Sequence, residues 1–167
     1  MRQRRIELQS AAQPYRAGME PWEVAVRESV RDAIARYVWA ADGGHAAEVA
    51  ECFTTSGVLD VGDLGGRWTG RDEIARQLAA VAERVAAAGD GPGPVRHHVS
   101  SVLVTPESVD TARARSYFAV HTAVGLDHWG RYYDQLRVQG GRWRFAERVV
   151  RLDGHSPGSL MVDGGAS

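Results

Sequence analysis

Apolar residues at Val26, Val30, Ile34, Tyr37 and Ala41 recur every three to four positions from Trp22 up to Asp42-Gly43-Gly44, which predicts one long amphipathic helix with a glycine stop. Pro21 suits its first turn. A shorter helix is predicted over residues 45 to 53. It is followed by a brief edge strand, Gly57-Val58-Leu59-Asp60-Val61, and a glycine-rich turn from Gly62 to Gly66. Thr69 and Asp72 have capping-box spacing and open a third helix through Ile74, Leu78, Val81 and Val85 to Ala88.

The second half changes period. Residues 95 to 104, 111 to 124, 130 to 138 and 142 to 152 are rich in β-branched and aromatic side chains, with Pro106-Glu107, Gly125-Leu126-Asp127 and Gly140-Gly141 between them. They read as long antiparallel strands in a meander. In the second, Ala112, Ala114, Ser116, Phe118 and Val120 share one face, and Arg113, Arg115, Tyr117 and His121 the other; in the third, Tyr132, Asp134, Leu136 and Val138 share a face. Helices first and strands later predict an α+β fold in which an antiparallel sheet wraps around helices. Residues 1–20 are expected to be a mobile arm, 21–152 the single domain, and 153–167 a flexible Gly- and Ser-rich tail.

Composition narrows the function. At 167 residues the chain is long enough for one core of its own, and 20 basic residues interspersed with 21 acidic ones leave no basic stripe, so nucleic acid is not an expected partner. Cys52 is alone, which rules out an intrachain disulfide. No apolar run approaches a membrane span and the first residues lack a signal-peptide core, so a cytoplasmic protein without membrane contact is expected. Phosphate-binding glycine motifs and the nucleophile elbow are absent.

Chemistry must therefore come from histidines and acids. His45, His97, His98, His121, His128 and His155 contain no i, i+4 pair of the kind that holds zinc, so no metal and no cofactor is expected. His97 and His98 are adjacent in a strand, so only one of them can enter a cavity lined by that sheet, and parity does not choose. Asp42 ends the first helix, either as a turn residue or, since the helix dipole opposes its charge there, for a functional reason.

A set of landmarks adds a resemblance. Tyr37-Val38-Trp39-Ala40-Ala41-Asp42, Ala46 to Phe53, Gly70-Arg71-Asp72-Glu73-Ile74, Arg96-His97-His98-Val99-Ser100, Thr111 to Tyr117, Arg131-Tyr132-Tyr133-Asp134 and Gly141-Arg142-Trp143-Arg144-Phe145 resemble, in order and spacing, SnoaL-like proteins of the nuclear transport factor 2-like superfamily. Scytalone dehydratase, a dehydrochlorinase and polyketide cyclases belong to the same branch. The resemblance spans residues 22 to 152. It implies a cone-shaped curved antiparallel sheet wrapped around three helices (a cystatin-like α+β barrel), a deep apolar pocket, and a homodimer or homotrimer. It also implies that Asp42 orients His97, that Tyr37 lines the pocket, and that Tyr132 and Asp134 form the Tyr-x-Asp of the third long strand. Ser101 and Tyr37 stand where relatives carry an asparagine and, in the dehydrochlorinase, a lysine.

The expected function is a cofactor-independent lyase, cyclase or isomerase acting on a small, largely apolar and possibly polyketide-like substrate. His97 is the base, since an imidazole titrates near neutrality, and Asp42 fixes its tautomer. Tyr37, Tyr132, Asp134, His98 and Trp39 are the expected substrate-binding residues. The alternative is a non-catalytic ligand-binding module, or a structural subunit of an oxygenase or biosynthetic complex, with Arg113, Arg115 and Tyr117 making the partner contact. Epoxide opening through Asp134 or Glu147 with an arginine ranks below the dyad.

Overall fold

In the computed structural model, residues 18–62, 64–87 and 93–162 are described; the arm expected over residues 1–20 falls almost wholly outside them. The elements run α1 (Pro21–Asp42), α2 (Ala46–Glu51), β1 (Phe53–Gly62), β2 (Gly66–Thr69), α3 (Arg71–Ala87), β3 (Arg96–Pro106), β4 (Thr111–Thr122), β5 (Gly125–Gln139) and β6 (Arg142–His155). The six strands form one curved sheet in the order β2-β1-β6-β5-β4-β3, with the helices against it, an α+β architecture. β3 to β6 are the expected antiparallel meander. β1 is not an edge: it pairs in parallel with β6 and antiparallel with β2, which takes the edge and was not predicted, the sequence offering only a turn up to Gly66 and a cap at Thr69.

α1 puts Val26, Val30, Ala33, Ile34, Tyr37 and Ala40 into the core and touches β3, β4 and β6. Its end is tightly specified. The Gly43 N–H returns to Trp39 and that of Gly44 to Ala41, and Gly44 takes φ +71°, a left-handed conformation natural to glycine. At α3 the Glu73 carboxylate accepts the Thr69 N–H at 2.8 Å, so the expected Thr69–Asp72 capping box is replaced by Glu73, one residue further on.

Four irregularities bend the meander and decide what faces inward. Each adds a residue to one strand of a pair, and strict alternation fails there. In β3 the irregularity lies between Ser100 and Leu103, where Ser101 has φ +52°; His97 and Val99 face inward before it and Val102 and Val104 after it. In β5 the extra residue is Asp127, opposite the Val120–His121 step of β4. In β6 one extra residue lies between Phe145 and Glu147 and another between Leu152 and Gly154. At Gly130 even a methyl group would stand 2.1 Å from the Arg151 carbonyl oxygen and 3.0 Å from the Phe118 ring, so this crossing admits only glycine.

The span read as a tail begins inside the last strand. β6 continues to His155. Beyond it Ser156 donates its N–H to the Asp127 carbonyl and its hydroxyl to that of Leu126, tying the last described residues to β5.

Candidate functional site

Asp42 is the last residue of α1 and His97 the second of β3, and the curl of the sheet brings them together. His97 Nδ1 lies 2.6 Å from Asp42 Oδ1, and the His97 backbone N–H reaches Oδ1 at 3.0 Å and Oδ2 at 3.3 Å. These contacts offset the unfavourable helix dipole at Asp42. With the Nδ1 proton donated to the carboxylate, the neutral ring keeps its lone pair on Nε2, the arrangement a base needs. The side chains are 15% and 12% exposed, so the pair is sheltered but reachable.

Behind it lies a buried charge cluster. Arg148 and Asp134 face each other across β5 and β6 and form two parallel hydrogen bonds of 2.8 Å, both side chains fully buried. The guanidinium carbon sits 4.1 Å from the Tyr37 ring centre, 4.3 Å from that of Tyr132 and 4.2 Å from that of Phe145. Burial opposes the Arg148 charge, but Asp134 outweighs it and raises the pKa. Burial likewise raises the Tyr37 and Tyr132 phenols, so both hydroxyls are protonated donors. Arg148 Nη1 and Ser116 Oγ are sealed from solvent with no hydrogen-bond partner. Phe118 stacks on Tyr132 at 4.4 Å, so aromatic rings fill the floor that the resemblance implies as a deep pocket.

A second acid–histidine pair completes this face. His128 Nδ1 is 2.8 Å from Asp127 Oδ1, and the side chains are 8% and 0% exposed. Asp127 also accepts from Thr122 Oγ1 at 3.1 Å, Ser159 Oγ at 2.5 Å and the Leu160 N–H at 2.8 Å. Burial works against its charge, yet the hydrogen bonds, with Ser159 and His128 foremost, hold its pKa below the ordinary carboxylate range. Burial dominates at His128 and lowers the ring's pKa, against the pull of Asp127.

Of the residues expected from the sequence, Asp42, His97, Tyr37, Tyr132 and Asp134 converge on the inner face. His98 and Trp39 do not. His98 points to the outer face, where its ring lies 4.9 Å from that of His121, because it alternates with the inward His97. Trp39 is 81% exposed on the far side of α1 and lines an outer cleft of about 1110 Å³ with Arg36, Cys52 and Trp143. Arg148, Asp127 and His128 were missed. Counting alternate residues from Phe145 places Glu147 inside, and Gly125-Leu126-Asp127 reads as a turn; only the bulges turn Arg148 and Asp127 inward. Among the described residues no cluster of histidine, cysteine, aspartate and glutamate is set to hold a metal.

Comparison with known proteins agrees with this architecture. A Mycobacterium tuberculosis protein of unknown function is 29% identical with a TM-score of 0.67, over 81% of this chain and 78% of that one. An NTF2-like protein with a cystatin-like fold from Novosphingobium aromaticivorans is 27% identical with a TM-score of 0.68, over 82% and 88%. A protein from the same organism, provisionally assigned as a scytalone dehydratase, shares the fold at 20% identity and a TM-score of 0.69, over 89% and 100%. No curated protein matches significantly. The profile of the SnoaL-like domain matches residues 22–149, and the chain belongs to the SnoaL-like domain family, with the NTF2-like, cystatin-like fold.

Proposed function

We propose that the protein is a cofactor-independent lyase, cyclase or isomerase that removes a proton from carbon next to a carbonyl, with His97 as base and Asp42 as its positioning residue. The observation that carries the reading is the 2.6 Å contact between His97 Nδ1 and Asp42 Oδ1 on the inner face. Proton transfer to His97 Nε2 leaves an enolate on the substrate. The imidazolium is then stabilised by Asp42, and the enolate oxygen by a hydroxyl donor within the cone, a role for which the protonated phenols of Tyr37 and Tyr132 are suited. The carbanion next expels a β-leaving group, closes a ring, or is reprotonated elsewhere. The family includes scytalone dehydratase-like and polyketide cyclase members, which supports this reading. A small, mostly apolar substrate suits the aromatic floor.

The test needs no knowledge of the natural product. Small carbonyl compounds are incubated with the protein in heavy water, and deuterium uptake at the α-carbon is read by mass spectrometry. Uptake with the wild type that is lost in folded His97→Ala and Asp42→Asn variants supports the reading, and uptake indifferent to both changes removes it.

A second reading, a ligand-binding or structural subunit, draws support from the outer sheet face, where Leu103, Tyr117 and Tyr133 are 48%, 57% and 41% exposed beside Arg113 and Arg115. Under it Asp42 and His97 are dispensable, and mutation of Tyr117 and Tyr133 breaks an assembly.

A further inference from the structure

The Asp127–His128 pair is a titratable cluster on the inner face that proton abstraction by His97 does not use. Successive strand residues normally point to opposite faces, and Asp127 joins His128 only because it is the extra residue of the β5 bulge. The sheet register places His128 in the row of His97: His97 pairs with Val120 on β4, and Val120 pairs with His128 on β5. Two strand spacings, about 10 Å, separate their Cα atoms. The rings are close enough for the charge of one to bear on the other. His128 also packs edge-on against Phe118 at 5.9 Å, which continues the aromatic floor.

The proton on this ring is fixed by its surroundings. Asp127 is a carboxylate with four donors converging on it, so it can only accept from His128, and Nδ1 carries the hydrogen. Nε2 is then a lone pair. Among the described residues nothing donates to it, although the ring is almost wholly buried. An unfilled acceptor held in one tautomer on a lined inner face selects for a ligand hydroxyl and against an ether or carbonyl oxygen at that point, whose lone pairs would face its own.

We propose that His128 is a substrate-binding residue that accepts a hydrogen bond from a phenolic or enolic hydroxyl through Nε2, with Asp127 as its positioning residue. This rests on the reading that the inner face at Asp42–His97 is the ligand site. It narrows the substrate class to hydroxylated carbonyl compounds, the hydroxyl at His128 and the acidic C–H at His97. The Ser159 and Leu160 contacts make the last described residues part of the support for this pole.

The probes are para-hydroxyacetophenone and para-methoxyacetophenone, with binding followed by ligand-detected NMR on the full chain. The wild type is expected to bind the hydroxy compound at least about tenfold more tightly, the worth of one sheltered hydrogen bond. Histidine nitrogen shifts are expected to show the proton of ring 128 on Nδ1. His128→Phe removes the preference. Asp127→Asn is more telling, because Thr122 and Leu160 hold the amide oxygen in the place of Oδ2, so the new NH₂ takes the place of Oδ1 and turns to His128, and the Ser159 hydroxyl there rotates to accept from it. The ring proton then moves to Nε2, and the methoxy compound binds more tightly than it does to the wild type. A merely structural role for Asp127 predicts no such gain. Equal binding of the probes by the wild type, binding of neither at millimolar concentration, or a proton on Nε2 in the wild type overturns the proposal. Binding requires no turnover, so the preference in a His97→Ala background separates the two readings: deuterium exchange can fail while the preference stands, and the reverse.

Discussion

The two acid–histidine pairs share one row of the sheet but are built in opposite ways. Asp42 and His97 lie 55 positions apart, and the carboxylate takes hydrogen bonds from His97 alone among the described residues. Asp127 and His128 are neighbours whose carboxylate is held by four donors from three segments. The first pair stays partly exposed and the second is nearly sealed. A sparsely held, reachable pair can accept a new charge during a reaction, whereas a saturated one resists change and is suited to recognition. The same two residue types thus serve different ends according to how many partners the fold supplies.

The largest effect expected from breaking this division is on catalysis. His97→Ala should slow α-deuterium exchange about 100- to 10,000-fold, the range for loss of a positioned base, with the folded state intact by circular dichroism. Comparable loss in His128→Phe would show that the pairs are not divided as argued. Next comes the charge cluster that underlies both. Arg148→Met leaves Asp134 buried and unpaired, which should cost about 3–5 kcal/mol in denaturant unfolding, while the double variant Asp134→Leu with Arg148→Met should lose markedly less. Equal losses would mean that packing, not the uncompensated charge, sets the cost.

These features differ in how far the sequence discloses them. α1 and the alternation of β4 follow from simple periods, and α1, β3, β4 and β6 appear nearly where residue spacing puts them, while β5 begins five residues early, in what reads as a turn. Asp42 and His97 were legible because landmark spacing ties a helix end to a strand start. What was hidden sits at bulges. Ser101 breaks the parity of β3, so hydrophobic counting could not choose between His97 and His98, and extra residues in β5 and β6 turn Asp127 and Arg148 inward. A bulge is stabilised by partners on other strands, so its own sequence carries little signal. Trp39 shows the converse failure: an aromatic two residues from Tyr37 is expected to bind substrate, yet its angle on α1 leaves it in solvent.

Acid separates the pairs more finely. The His128 pKa is lowered in the folded state, chiefly by burial, so as pH falls below about 6.5 the unfolded ring takes up a proton that the folded ring refuses. Stability present above that pH is therefore lost on acidification, by at most about 1.4 kcal/mol per pH unit for one proton. His128→Phe should flatten this window in a series of unfolding curves. Asp127 acts lower, because its depressed pKa contributes stability above the ordinary carboxylate range that is lost only as pH falls through that range. An unchanged slope in His128→Phe would sink the view that this ring is kept neutral by burial.

The smallest effect concerns the segment that follows β6. Ser159→Ala removes one of the four donors to Asp127 and also the acceptor for the Met161 and Val162 N–H groups. The carboxylate keeps Thr122, His128 and Leu160, so global stability should fall by only about 1 kcal/mol. Its local consequence should be larger than its global one, because the segment has few other ties, and amide exchange over residues 156–162 should quicken while the sheet amides keep their protection. The proton of ring 128 should remain on Nδ1, since an ionised Asp127 with three donors still cannot offer a hydrogen. A shift of that proton in Ser159→Ala would place control of the tautomer in the chain terminus instead of the carboxylate, and the second pair would then be a conditional site and not a fixed one.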